Sequence, residues 1–258
     1  MLGRKHTLTN GQWLEAVVNI KSIVSHNDII ELEKETIAHI KTITKGKKSS
    51  YAWSGGKDSI VLATLCEKAK ITDCVLGRCN LEFQSFMDWI EANKPAGLEI
   101  INTGLDMDWL IKNQNLIFPD AAGLTKWCKA IHLKAQYQYF KARKLDILIL
   151  GRRKADGNFV GRGNNIYTNG KGITNYSPMA DWSHEMVLAY IAYNNLLLPP
   201  IYEWVNGYKR GTHAWPMRPG YASKEEGWRE TYSIDPAIVQ EAAKHFESAK
   251  LFLEGGVA

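Results

Sequence analysis

Apolar residues recur near helical spacing from Asn27 to about Thr44, at Ile29, Ile30, Leu32, Ile37, Ile40 and Ile43, with Glu and Lys between them. This periodicity predicts an amphipathic helix ahead of the core. The short β-prone run Ser49 to Trp53 then meets Ser54-Gly-Gly-Lys-Asp-Ser59, and Ile60 to Cys66 continues as an apolar helix. The pattern is strand, glycine turn, helix. It repeats: a strand near Asp73 to Gly77 precedes a helix over Phe83 to Asn93, Leu98 to Asn102 makes a third strand, and a helix starts at Asp106. Ala130 to Lys144 reads as a helix, and Asp146 to Leu150 as an apolar strand.

Alternation of strands and helices predicts right-handed crossovers and a mostly parallel sheet flanked by helices, a Rossmann-like α/β fold. Ligands of such sheets bind at the carboxyl ends of the strands. Gly151 to Gly172 is rich in glycine and in Lys and Arg, and reads as an anion-facing loop. Ser183 is the expected N-cap of a helix to about Tyr193, with Glu185 in its first turn. Tyr202 to Trp228 is aromatic and basic with little periodicity, and a last helix is expected from Pro236 to Leu253. The chain therefore divides into an N-terminal helical extension (1–45), an α/β domain (46–200) and an aromatic, basic C-terminal subregion with its helix (201–258).

The 258 residues suffice for a sizeable core, and 45% hydrophobic with 23% charged residues is an ordinary globular composition. The net charge of +5 favours polyanionic ligands. Four cysteines (Cys66, Cys74, Cys79 and Cys128) form no Cys-x-x-Cys pair, so reduced thiols and a cytoplasmic location are expected. The N-terminus shows no apolar leader and no stretch reaches membrane-spanning length, so no membrane partner is expected.

Chemistry concentrates at Ser54-Gly55-Gly56-Lys57-Asp58-Ser59, where a strand hands over to a helix. Backbone N–H groups and the positive helix end converge there, which suits a phosphate chain. The glycines allow close approach, Ser54 and Ser59 offer hydroxyls, and Asp58 is a candidate ligand for Mg²⁺ against the phosphates. A Walker A loop is excluded, because Tyr51 stands where its first glycine belongs and Asp58 follows the lysine.

The hexapeptide resembles the pyrophosphate loop, Ser-Gly-Gly-x-Asp-Ser, of the N-type ATP pyrophosphatases, or adenine nucleotide alpha hydrolases. The resemblance implies that the loop grips the β and γ phosphates of ATP and that cleavage between α and β adenylates an acceptor. Pro178-Met-Ala-Asp181-Trp182-Ser183, continuing through Tyr190-Ile191 to Leu198 and Tyr202, is similar to a segment of the phosphoadenosine phosphosulfate reductase family, which includes the small subunit of ATP sulfurylase and the DNA phosphorothioation pyrophosphatases. Gly151-Arg-Arg153-Lys-Ala-Asp156, with Arg162 beyond, resembles that family's Gly-x-Arg-x-x-[Glu/Asp] and further Arg, which implies that Gly151, Arg153 and Arg162 line the phosphate side of the site. Lys57, Asp58 and Arg153 are the expected catalytic group.

Departures narrow the branch. The reductases' C-terminal Glu-Cys-Gly has no counterpart, since all four cysteines lie at or before Cys128. Thr212 and Trp215 occupy the places of a Gly-Cys-x-x-Cys-Pro pair, and neither supplies a thiolate for a cluster. The family's Asp-Thr-Gly after the second strand is not evident near Gly77 to Leu81. Trp127-Cys128 is loosely similar to a family Trp-Cys element; Cys128 is read as a sulfur-relay thiol, a cluster ligand or a small buried side chain. The expected activity is an ATP pyrophosphatase, with ATP and Mg²⁺ as cofactors, acting in sulfur transfer such as DNA phosphorothioation. DNA, contacted by Tyr202 to Arg229, and a cysteine desulfurase or other sulfur-transfer protein are the partners that reading names. A sulfonucleotide reductase-like or ATP sulfurylase-like enzyme and a non-catalytic nucleotide-binding protein are the alternatives.

Overall fold

The computed structural model describes residues 2–3 and 7–255. Met1 and residues 4–6, part of the N-terminus read above as leaderless, lie outside the described residues, as do 256–258.

Two helices precede the sheet where the pattern predicts one. The first, α1 (Asn10–Ile23), opens on a capping box between Thr9 and Gln12 and buries Trp13, Ala16 and Ile20. Ser25 caps the expected helix, α2 (His26–Thr44), whose buried face carries Ile29, Thr36 and Ile40. There follow β1 (Ser49–Ala52), α3 (Lys57–Lys68), β2 (Asp73–Arg78), α4 (Gln84–Asn93), β3 (Gly97–Asn102) and α5 (Met107–Ile111). The next helix begins earlier than the apolar spacing suggests, at the Asp120 cap: α6 (Ala121–Cys128) runs through a π-helical turn at Lys129–Leu133 into α7 (Lys134–Arg143). After β4 (Ile147–Ile149), the glycine-rich stretch folds partly into a short hairpin, β5 (Ile166–Thr168) and β6 (Thr174–Tyr176). The remainder is helical: α8 (His184–Tyr193), α9 (Gly207–Arg210), α10 (Lys224–Ile234), α11 (Pro236–Ala243) and α12 (Glu247–Glu254).

The sheet has six strands in the order β3-β2-β1-β4-β6-β5, all parallel except the β5–β6 hairpin. Tyr51 is in register with Cys74 of β2 on one side and Ile149 of β4 on the other. Strands β1, β2 and β4 are largely buried along their length, as expected of parallel strands covered by helices, and β4 is an uninterrupted apolar run. On one face α7 packs Tyr139 and Phe140 against Val75, Leu148 and Ile173. The chain moves outward from β1 through β2 to β3 and then returns to place β4 on the opposite side of β1. A crevice therefore opens at the carboxyl ends of β1 and β4. Among the described residues no helix is long and apolar enough to cross a membrane.

The aromatic, basic segment differs most from its expected role. Tyr202, Tyr208, Trp215, Trp228, Arg210 and Arg218 are all buried. Arg218 Nη2 lies 2.7 Å from Glu230 Oε1 and Arg210 Nε lies 3.5 Å from Oε2. Tyr221 donates to Glu230 at 2.7 Å, and the Arg210 guanidinium lies 3.9 Å from the Tyr221 ring centroid. These side chains form the inside of the C-terminal subregion, so most of the aromatic and arginine side chains expected to contact DNA are interior, whereas Lys209, Lys224 and Arg229 remain exposed. The single C-terminal helix is likewise two helices, broken where Phe246 is buried in a stacked contact with Trp228.

Candidate nucleotide site

Gly55 adopts φ +68°, and a Cβ there would meet the Phe86 ring at 3.1 Å, so the first turn of the loop requires glycine. At Gly56 φ is ordinary, but a Cβ would stand 3.2 Å from Thr212 Oγ1 and 3.3 Å from Ser54 Oγ. Ser59 orders the loop from within: its hydroxyl donates to the Gly56 carbonyl at 2.9 Å and accepts from the Ser54 N–H at 3.0 Å. Helix α3 starts on Gly56 without a side-chain cap, leaving its positive end directed at the loop. Tyr202, from the C-terminal subregion, accepts from the Lys57 N–H at 2.7 Å.

Behind the loop lies a buried ionic cluster. Lys57 Nζ is 2.7 Å from Asp58 Oδ2 and 5.3 Å from the centroid of the Trp13 ring. Arg153, fully buried at the end of β4, places Nη2 2.8 Å from Asp58 Oδ1 and 3.1 Å from Asp156 Oδ2. Nη2 also lies 3.1 Å from His184 Nδ1, while Nη1 donates to the Trp182 carbonyl. Burial, reinforced by Arg153 and Lys57, holds His184 down at about 4, so its ring is neutral and Nδ1 accepts from Arg153. Trp13 packs edge-on against that ring at 4.7 Å. Two cations, two carboxylates and a neutral imidazole leave the cluster without net charge.

A cleft of about 420 Å³ opens in front of the loop. Ser54, Asp58 and Ser59 line one wall, Val75 and Gly77 of β2 the floor, and Gly151 and Arg152 the end of β4. Helices α6 and α7 contribute Cys128, His132 and Gln136, and Thr212 and His213 close the far side. The π turn lies within that contribution, in keeping with the frequent use of π-bulges at functional sites. Gly151 matters through proximity: a Cβ there would lie 3.4 Å from the Asp58 carbonyl.

The sequence matches the phosphoadenosine phosphosulfate reductase domain family over residues 48–210, more than half of the chain. The chain belongs to this family. Among solved structures it is similar to a phosphoadenylyl-sulfate reductase from Candida auris, at 17% identity and a TM-score of 0.51, covering 70% of this chain and 92% of that one. NMN synthetase from Francisella tularensis (15% identity, TM-score 0.48, 87% of this chain and 92% of that one) is also similar. So is the U34-tRNA thiolase NcsA from Methanococcus maripaludis, at 16% identity, TM-score 0.47, and 89% and 79% coverage. No curated protein matches.

The α/β fold is that of the matched family, yet several residues expected as ligands occupy other roles in this member. Arg153, expected on the phosphate side, is turned inward as the counter-ion of Asp58 and Asp156. Its neighbour Arg152 lines the cleft instead, with Nη1 donating to Tyr167 at 2.7 Å and no ion pair to a carboxylate of the described residues. Arg162 is exposed on the loop and does not line the cleft. Both carboxylate oxygens of Asp58, the residue expected to hold Mg²⁺ against the phosphates, meet a cation in this structure, Oδ2 that of Lys57 and Oδ1 that of Arg153. Cys128 lies at the cleft wall, half-buried, where burial raises its thiol and Arg152 partly offsets that. Sequence reasoning missed Trp13, His184, Arg152 and Tyr202 as neighbours of the loop. The Thr9-x-x-Gln12 box was a legible signal for α1; the contacts of Tyr202 and His184 are tertiary and left no local trace.

Proposed function

We propose that this protein is an ATP pyrophosphatase that cleaves the α/β bond and transfers the adenylyl group to an acceptor awaiting sulfur. The observation that supports this reading best is the junction of β1 and α3: a helix start without a side-chain cap from its own N-cap residue and a two-glycine turn open on a nucleoside-sized cleft at the switch point of a parallel sheet. Phosphate oxygens fit the loop from Ser54 to Ser59, against the N–H groups and the Ser54 hydroxyl. Because the buried cluster is neutral, Arg152 is the charge that faces the phosphates from the opposite wall, where a guanidinium stabilises the charge shifting onto the leaving pyrophosphate. Lys57, Asp58 and Arg153 act from behind by fixing the loop. The absence of a Walker A pattern at Tyr51 and Asp58 favours retention of β and γ together over release of the γ phosphate.

The acceptor context we favour is sulfur transfer to nucleic acid, as in DNA phosphorothioation, with a cysteine desulfurase or related protein supplying sulfur. The lack of a C-terminal Glu-Cys-Gly argues against sulfonucleotide reduction. Incubation with α-labelled ATP and candidate acceptors tests the proposal: AMP and pyrophosphate are expected. ADP and phosphate as sole products would overturn it, and sulfate-dependent pyrophosphate exchange would point to ATP sulfurylase-like chemistry instead.

A further inference from the structure

The excess of positive over negative charge in this chain lies in one stretch. Lys129 to Gly172 carries ten Lys and Arg against Asp146 and Asp156, leaving 22 basic and 25 acidic residues elsewhere. Asp156 is turned inward to Arg153, and Asp146 accepts from the Lys48 N–H. The excess is therefore not diffuse; within this stretch Arg153 is buried, Arg143 pairs with Glu99 and Lys154 with Asp181, while Lys134, Lys141, Lys144, Arg162 and Lys171 are exposed on α7, its C-terminal end and the loop and hairpin beside it.

That surface is also aromatic. Tyr137, on the outer face of α7, is 36% exposed, with Lys171 of the β5–β6 turn 5.3 Å and Lys141 5.9 Å from its ring centroid. Across the hairpin Tyr167 holds Arg152 and packs edge-to-face with Phe159 at 5.0 Å. Phe159 is 60% exposed and directly follows Asn158, a residue of the cleft wall. A large ring left in water on a basic loop is not serving the core.

From this we infer that α7 and the β5–β6 hairpin form the docking surface for a single-stranded nucleic acid, with an unpaired base stacked on Phe159 at the mouth of the cleft. Lysines along α7 and the turn take backbone phosphates, and exposed rings take bases; single-strand-binding grooves combine these two elements. The inference rests on the adenylylation reading above, since it supplies the acceptor for that site. It also moves the nucleic-acid face from the buried C-terminal segment to α7 and the β5–β6 hairpin.

Fluorescence anisotropy with labelled single-stranded DNA and RNA, without ATP, tests the surface. Salt-dependent binding of either strand is expected, with a Lys141→Gln, Lys171→Gln double variant lowering the log–log salt slope by about one per lysine. Phe159→Ala should weaken single-strand binding about tenfold while leaving duplex and heparin binding unchanged. Wild-type affinity in all variants, or equal loss for heparin in Phe159→Ala, would overturn the assignment. AMP formation from ATP is measured in parallel. Intact ATP chemistry with no strand binding defeats the surface alone, whereas strand binding without AMP formation defeats the adenylylation reading alone.

Discussion

Arg153 Nη2 stands 2.8 Å from Asp58 Oδ1, tying the end of β4 to the first turn of α3. The arginine is fully buried and touches Asp156 and His184 as well, so its removal takes the counter-ion from Asp156 and leaves Asp58 with Lys57 alone. Arg153→Ala should destabilise the protein by about 3 kcal/mol, read as a shift of the denaturant midpoint. Arg152→Ala should do the reverse, leaving stability nearly unchanged and weakening ATP binding on the order of tenfold. Equal stability of the two variants would contradict this division of roles.

His184 gives the cluster a pH signature. Its imidazole is neutral in the folded protein down to about 4, whereas the unfolded chain takes up the proton near 6.5. Between these values the unfolded state binds more protons, so stability is full above pH 6.5 and falls as pH drops towards 4, by about 3 kcal/mol. Glu82, which burial raises to about 7, slopes the opposite way across much of the same window and is common to both proteins compared. His184→Gln keeps an acceptor for Arg153 but cannot titrate. The difference in unfolding free energy between wild type and variant should therefore change between pH 4 and 6.5; a flat difference would refute the assignment.

How far the sequence could be read depended on where each signal resides. The β1–loop–α3 unit was legible because apolar run, glycine pair and helix follow one another within Ser49 to Cys66. The Ser183 cap of α8 was legible for the same reason, and the structure has Ser183 accepting from the Met186 N–H. By contrast, β5 and β6 have three residues each in a glycine-rich stretch, too few for a period of two to emerge. The direction of a side chain was less legible still. Arg152 and Arg153 are adjacent, and extended backbone at Arg153 sends them to opposite sides, one to the cleft and one to the core. Arg210 and Arg218 read as exposed basic charge because their partner Glu230 lies beyond any local window.

Gly56 separates phosphate binding from folding. Its backbone is compatible with alanine, and the atoms a Cβ would meet at 3.2 to 3.5 Å are the hydroxyls of Thr212, Ser54 and Tyr202. Gly56→Ala should lower stability by no more than about 1 kcal/mol, because hydroxyl rotors can give by a few tenths of an ångström. The added methyl nevertheless occupies the turn that phosphate oxygens must approach. Calorimetric titration should show ATP and pyrophosphate affinity reduced at least about tenfold; unchanged affinity would remove the loop from the phosphate site.

Glu230 is the hinge of the C-terminal interior. It is buried with both oxygens engaged, Oε1 by Arg218 and Tyr221 and Oε2 by Arg210 and Asn206. Its carboxyl is held below the usual carboxylate range chiefly by Arg218, against the opposing effect of burial. Deleting this one carboxylate leaves the buried Arg218 without its counter-ion and Arg210 with Glu226 alone, 3.5 Å away, a larger penalty than the pair's own attraction would suggest. Glu230→Ala should therefore lose about 3 to 5 kcal/mol of stability, whereas Glu225→Ala, whose exposed partner Arg229 lies on the same helix, should change it by less than about 0.5 kcal/mol. Because Tyr202 and Thr212 carry the effect to the nucleotide loop, ATP binding in Glu230→Ala should weaken and recover with any condition that restores the fold. A stable Glu230→Ala protein with weakened nucleic-acid binding would instead show that these arginines serve a ligand and not the core.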